Sequence, residues 1–188
     1  MKLQSGNNAI DFTAQDIHGK EIRLSNYRGQ KIILSFFRNV NCPFCNRRVH
    51  QLMFNNIHFK NAGVQLVLLF ESSNEKLLSS SFHRGISPWP LIGDPEKKIY
   101  KLYGVEQSTI KMMKTMFVAN LNQAKKETKE LNLPQDKDAS MNLIPADFLI
   151  DENFKIVKAH YGKHLDDHID FNELKAFAGI GNQFKKTS

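Results

Sequence analysis

Cysteine is scarce in this chain of 188 residues: it has two, Cys42 and Cys45, three positions apart. So small a set excludes the disulfide framework of compact secreted domains, and in a reducing compartment it argues for chemistry at the pair itself. No apolar run approaches the roughly 20 residues that span a bilayer. Met1 to Ala9 is polar and lacks the apolar core of a secretory signal, so the expected location is the cytoplasm, with no membrane partner. Low-complexity tracts and internal repeats are missing too. Acidic residues are in deficit: Asp plus Glu number 19 against 26 Lys plus Arg, a net charge of +7. That balance favours acidic partners, but the basic residues are scattered and no nucleic-acid motif accompanies them, so nucleic acid is not an expected partner. Against these absences stands a hydrophobic content of 41%, enough to bury a core without disulfides or metal, in a length that fits one domain over residues 1–188.

The order of elements follows from hydrophobic spacing. Gly19 separates two short alternating segments, Phe12 to Ile17 and Glu21 to Leu24, which predict an N-terminal hairpin. Lys31 to Phe37 is an almost continuous apolar run, too short for a helix, and predicts a strand buried on both faces. Pro43 suits the first turn of a helix that the apolar spacing carries to Gly63, and Val64 to Phe70 is a second buried strand, so the unit is βαβ with parallel strands. Ser73 to Phe82 and Pro95 to Tyr103 predict short helices on either side of an extended piece near Leu91. Over 109–129 the apolar positions Ile110, Met113, Phe117, Leu121 and Ala124 keep the helical period, which predicts one amphipathic helix. Met112, Met113 and Met116 on it could line a substrate groove, although core or homodimer packing is the expected use. Leu131 to Asn142 reads as an exposed loop. Ala146 to Ile150 and Lys155 to Ala159 read as an antiparallel hairpin, and Asp170 to Ala178 as a closing helix. Trp89 between two prolines is expected to pack with its N–H satisfied.

Cys42-Pro43-Phe44-Cys45 falls where a buried strand delivers the chain to a helix. Two thiols at i and i+3 on one turn can bond with little backbone movement. As a staple the bond is poor, worth about 2 kcal/mol by loop entropy, so the spacing suits a bond that is made and broken. With Pro43 at the first helical position Cys42 becomes the N-cap, where unpaired amides and the helix dipole favour thiolate, and it is expected to be the better exposed of the two. Arg38, Arg47 and Arg48 bracket the pair and lower a thiol pKa if they fold over it, though Arg47 and Arg48 read as ordinary solvated charges. A zinc site needs further ligands, and only the stretch with His160, His164 and His168 offers them, interrupted by Gly162. Asp147 could tune a cysteine or relay a proton; an exposed strand-end carboxylate is its plainer reading.

The string Ser35-Phe36-Phe37-Arg38 followed by Cys42-Pro43-Phe44-Cys45 resembles the alkyl hydroperoxide reductase and thiol-specific antioxidant (AhpC/TSA) family, in its peroxiredoxin-like branch with a CPxC motif. Ala9-Ile10-Asp11-Phe12, Leu24-Ser25-Asn26-Tyr27-Arg28-Gly29, Pro90 to Pro95, Tyr100 to Val105 and Pro145 to Asp151 extend the resemblance over most of the chain. It implies a thioredoxin-like α/β fold, a central mixed sheet flanked by helices with an N-terminal hairpin and the helix near 109–129 inserted. It also implies a thiol-dependent antioxidant oxidoreductase without a bound cofactor or metal, which reduces hydroperoxides through a Cys42/Cys45 dithiol-disulfide cycle and is restored by a thioredoxin-like or low-molecular-weight thiol. Cys42, Cys45 and Arg38 are the implied catalytic residues, and Pro43, Phe44 and Pro145 the substrate contacts, Pro145 matching the proline beside the cysteines of thioredoxin-like proteins. Two departures stand out. The peroxiredoxin spacing Pro-x-x-x-Thr-x-x-Cys places Arg38 at the proline, Cys42 at the threonine and Cys45 at the attacking position, whereas thioredoxin logic makes Cys42 the attacker. The family's arginine before the strand at Phe148 is replaced by Ile144 and Pro145, and Arg38 is its candidate substitute. The alternatives are a thioredoxin-like oxidoreductase acting on protein disulfides and a non-catalytic redox sensor or metal-binding module.

Overall fold

Residues 2–86 and 88–181 are described by the structure, a computed structural model. Two short strands, β1 (Thr13–Gln15) and β2 (Glu21–Arg23), form the expected hairpin. Its turn is held by the Asp16 carboxylate, which accepts from the His18 and Lys20 amides at 2.9 and 3.0 Å, and by Gly19, whose φ of +77° a side chain would resist.

The run Lys31–Phe37 is β3, the centre of a five-stranded sheet. Its even positions, Ile32, Leu34 and Phe36, and its odd ones, Ile33 and Phe37, enter two different hydrophobic clusters, which is why the sequence shows no polar alternation here. Helix α1 (Pro43–Phe54) follows, then α2 (Asn56–Asn61) and β4 (Val64–Phe70), parallel to β3. The single helix expected up to Gly63 is two. Asn55 interrupts it, with ψ at 12° and its side-chain amide donating back to the Gln51 carbonyl at 2.9 Å, the local competition by which Asn ends helices.

Beyond β4 come α3 (Asn74–Ser79) and α4 (Ser81–Arg84), split by Ser80, whose hydroxyl accepts from the His83 amide. Next is β5 (Leu91–Gly93), parallel to β4. Gly93 is obligatory there, because a Cβ would stand 2.5 Å from the Ser72 carbonyl oxygen. Helix α5 spans only Lys98–Leu102, started by the Asp94 carboxylate, which accepts from the amides of Lys98, Ile99 and Tyr100. The antiparallel strands β6 (Ala146–Ile150) and β7 (Ile156–Tyr161), the latter starting one residue later than expected, complete the order β5-β4-β3-β6-β7, and α8 (Phe171–Ala178) closes the described chain. One face of the sheet packs against Val49, Leu52, Phe59, Leu77 and Leu174 of the helices, the other against Ile22, Tyr100 and Tyr103.

The amphipathic segment departs most from expectation. It forms two helices, α6 (Thr109–Val118) and α7 (Leu121–Thr128), with Asn120 capping the second. Helix α7 packs along α1 through buried Ala124. Helix α6 is turned inside out: Ile110, Met113, Met116 and Phe117 are exposed, while Thr115 is buried and its hydroxyl accepts from the Leu165 amide at 3.0 Å. The loop after α7 is also less free than its composition suggests, since Asp136 in it is bonded to Ser72 and Lys76. Among the described residues no helix is long and apolar enough to cross a membrane.

Candidate active site

The C-terminal end of β3 and the first turn of α1 place both sulfurs. Cys42 is the N-cap, and its Sγ accepts from the Cys45 amide at 3.4 Å. Pro43, with no N–H to leave unsatisfied, is the first helical residue. Asn46 pins the turn, donating to the Val40 and Cys42 carbonyls at 2.7 and 3.0 Å. The thiols are unbonded and the Cys45 Sγ donates to the Cys42 Sγ at 2.7 Å. Both cysteines are buried, Cys42 2% exposed and Cys45 0%, so Cys42 is the better exposed of the two only by that small margin. Cys42 is bonded to Arg38, and Arg38 is tied in turn to the Ser140 and Met141 carbonyls.

Arg38 grips both partners of the turn. Its Nη1 donates to the Cys42 Sγ at 3.5 Å, its backbone amide to the Cys45 Sγ at 3.4 Å, and its Nη2 to the Met141 carbonyl at 2.9 Å. Burial raises the Cys42 thiol, but the bond from Cys45 and the Arg38 guanidinium outweigh it, and the thiol is pulled down to about 6. Cys45 moves the other way, well above the ordinary thiol range, because burial and the neighbouring Cys42 thiolate both disfavour its charge. The pair is therefore set up as one thiolate and one thiol donor.

A second set of charges lies beneath. Asp147 is paired with Ser35 of β3 in the sheet register and faces the α1 side of the sheet, opposite to Ala146 and Phe148. It is 1% exposed, not a strand-end surface carboxylate. Its Oδ2 accepts from His168 Nδ1 and from the Ile169 amide, each at 2.9 Å. Burial raises this carboxyl, yet the charges of His168 and Arg48 and the His168 bond hold it well below the usual carboxylate range. His168 Nε2 is buried with no partner among the described residues, and its ring lies 5.1 Å from that of Phe37. Arg48 is likewise buried and donates to the Ile169 carbonyl, and Arg47 pairs with Asp166, so neither is a solvated surface charge. Sequence reasoning left His168 without a role and gave Asp147 the wrong surroundings. The period of two on β6, which sets Asp147 opposite the apolar Ala146 and Phe148, was the available signal.

The AhpC/TSA family model matches residues 5–159. The chain belongs to the AhpC/TSA family. It is similar to the Mycobacterium tuberculosis protein Rv2521, 24% identical over 168 residues that make up 89% of this chain and 91% of the relative. Peroxiredoxin Bcp of Escherichia coli K12 is 26% identical over 103 residues, 55% of this chain and 65% of that protein. Among solved structures, Peroxidoxin BcpB of Mycobacterium tuberculosis superposes with a TM-score of 0.65 at 16% identity, covering 94% of this chain and 97% of that one. The fold is thus thioredoxin-like, and this AhpC/TSA member is a peroxiredoxin-like, thiol-based oxidoreductase.

The remaining sequence-predicted residues take different positions around the AhpC/TSA dithiol. Pro145 is buried one step beyond the Phe36–Ala146 register pair, at the end of the sheet where α1 begins, and its carbonyl accepts from Gly162 at 2.9 Å. Pro43 is half-buried. Phe44 is 3% exposed and packs in the core, with the Arg47 guanidinium 5.8 Å from its ring. Trp89 is packed as expected, but its indole N–H finds no partner among the described residues. His160 is bonded to Asp167 at 3.1 Å. A cavity of about 680 Å³ opens beside α1, lined by Arg47, Arg48, His168 and Phe171 among others. His168 borders this cavity, although its Nε2 is buried.

Proposed function

We propose that the protein reduces hydroperoxides with Cys42 as the attacking thiolate, Cys45 as the resolving thiol and Arg38 as the group that holds the charge. The observation that carries this reading is that the Cys42 Sγ accepts from both the Cys45 Sγ at 2.7 Å and Arg38 Nη1 at 3.5 Å, contacts that favour its thiolate. The Cys42 thiolate attacks one peroxide oxygen, the O–O bond breaks, and the sulfur becomes a sulfenic acid as the substrate is reduced. The departing alkoxide or hydroxide takes a proton, and the Arg38 guanidinium stabilises its charge meanwhile. His168 is the proposed proton donor, oriented by Asp147 with its Nε2 available and reloaded through the cavity. Cys45 then attacks the sulfenic sulfur, water leaves with the Cys45 proton, and the Cys42–Cys45 disulfide forms. An external dithiol of the thioredoxin type, or two low-molecular-weight thiols, reduces it back.

This order follows thioredoxin spacing rather than peroxiredoxin spacing, which would make Cys45 the attacker. The raised Cys45 thiol supports the former. Because both cysteines are buried, entry of a hydroperoxide requires a local opening, and the Arg38 bonds to the Ser140 and Met141 carbonyls are the proposed place for it. Pro43 and Pro145 are proposed substrate contacts, and one domain is proposed to carry the whole reaction. Single Cys42→Ser and Cys45→Ser variants test the assignment. With hydroperoxide, Cys45→Ser is expected to trap a sulfenic acid on Cys42 and Cys42→Ser to be inert, with thioredoxin-coupled peroxide turnover only in the natural chain. A sulfenic acid on Cys45 in the Cys42→Ser chain reverses the roles, and insulin-disulfide reduction without peroxide turnover replaces the reading with a disulfide oxidoreductase.

A further inference from the structure

Helix α6 presents an apolar stripe that nothing among the described residues covers. Phe117 is 88% exposed, Met116 83% and Ile110 82%, with Met113, Val118 and Leu121 also open. Ile110, Met113 and Phe117 fall at i, i+3 and i+7 on α6, so they form one strip along the helix rather than scattered surface residues, and exposed Leu121 opens α7 just beyond it. The inward side of the same helix is anchored by Thr115 and by Lys111, whose Nζ donates to the Gly162 carbonyl at 2.9 Å. The fold therefore fixes the strip outward, and rolling the helix to bury it would break both bonds.

The charge around the strip identifies what fits it. From Gln107 to Lys126 the chain has no Asp or Glu and four Lys. Lys114 stands between Ile110 and Phe117 on the strip, and Lys125 and Lys126 extend from α7; all three are exposed and have no ion pair among the described residues. A two-fold contact between copies of this face would bring the exposed lysines of 107–126 together, and that stretch offers no carboxylate to set between them. An anionic phospholipid surface satisfies both features, taking apolar side chains below its headgroups and lysines at their level. We infer that α6 and the start of α7 form a docking face for the surface of an anionic bilayer.

The face adjoins the dithiol. Asn142 receives the Ser108 amide at the start of α6 at 2.8 Å, and the preceding Met141, itself 74% exposed, offers the carbonyl held by Arg38 at 2.9 Å. Docking thus sets the 139–142 loop at the membrane surface. The inference concerns binding alone and does not depend on the proposed peroxidase cycle.

The test is co-sedimentation of the full chain with vesicles of phosphatidylcholine, with and without phosphatidylglycerol. The expected result is pelleting with the anionic vesicles only. Lys125→Gln and Lys126→Gln each lower the partition coefficient about fivefold, and Ile110→Glu with Phe117→Glu lowers it more than tenfold. Circular dichroism and hydrogen peroxide consumption are measured alongside, and the double variant keeps the natural values of both. Absence of pelleting, equal pelleting with both vesicles, or full binding by the double variant overturns the inference. So does a dimer in light scattering that Phe117→Glu converts to monomer, because the face is then taken by a second copy. A natural chain that binds vesicles but turns over no peroxide refutes the proposed function and leaves this inference standing.

Discussion

Replacing Arg38 by Met tests whether the guanidinium sets the charge of the dithiol. Arg38 Nη1 reaches the Cys42 Sγ at 3.5 Å in a site that is nearly closed to water. A hydrogen bond to a charged group in such surroundings contributes about 1.5 to 3 kcal/mol, and each pKa unit corresponds to about 1.4 kcal/mol. Methionine keeps much of the volume and removes the charge, so the first deprotonation of the reduced pair, at about 6 in the natural chain, is expected to rise by about 1 to 2 pH units. Far-ultraviolet thiolate absorbance against pH, on protein kept under reductant, reads this directly. The shift carries a stability consequence. A thiol whose folded pKa lies below its unfolded value contributes stability that is present above the unfolded value and is lost as pH falls through the folded one, so the reduced chain is expected to weaken between pH 9 and about 6. Cys45, shifted the other way, opposes the trend only above its unfolded value. In Arg38→Met the slope is shallower and the window narrower. Arg38→Lys restores charge but cannot span both Cys42 and the Met141 carbonyl, so it recovers part of the shift. An unchanged thiolate titration in Arg38→Met refutes the assignment and moves the cause to the helix start and Cys45.

Asp147→Asn removes the buried carboxylate that accepts from His168 and lies first among those facing Arg48, which keeps Asp170 and Asp166, and urea unfolding at neutral pH is expected to show a loss of about 3 kcal/mol; a loss below 1 kcal/mol would mean that the charges are compensated elsewhere. His83 is fully buried with its Nδ1 2.8 Å from the Ser80 hydroxyl, and burial pushes it down to about 4. A base depressed in the folded state contributes stability that is complete above its unfolded value and is lost as pH falls through the folded one. Oxidised protein is therefore expected to lose about 3 kcal/mol between pH 6.5 and 4 through His83. His83→Gln removes that slope, and an unaltered slope in chemical denaturation traces the pH dependence to another group.

What the sequence discloses is what short-range periodicity encodes. Strands β3, β4 and β6 are legible because each side chain in them meets a core on one face or the other, and the Cys42 cap because Pro43 can occupy only a few helical positions. Arg38 is legible by adjacency, four residues before Cys42. The break at Asn55 is not, since the apolar spacing continues across it and only the Asn55 side chain, bonded to the Gln51 carbonyl, ends the helix. Asp147 and His168 lie 21 residues apart in sequence, and only the return of the chain beneath α1 joins them. Helix α6 misleads for the opposite reason: its stripe has the right period, but period alone does not say which side the rest of the fold engages. A hydroxyl at Thr115 decides that by meeting the Leu165 amide.

The buried charges under α1 bear on why this site is polar at all. Ser35, Asp147, His168 and Arg48 occupy a sheet face whose neighbours are Phe37, Val49 and Leu149. Apolar residues of similar volume would fill that space at no cost in stability and often with a gain, because desolvating several charges consumes most of what their pairing returns. Two atoms of the set, Asp147 Oδ1 and His168 Nε2, have no partner among the described residues, and each adds to that cost. A core selected for stability alone would not retain them. A buried dithiol must exchange a proton each time a sulfur is oxidised or reduced, and an imidazole held by a buried carboxylate at the edge of a cavity is the kind of group that the proposed proton transfer needs.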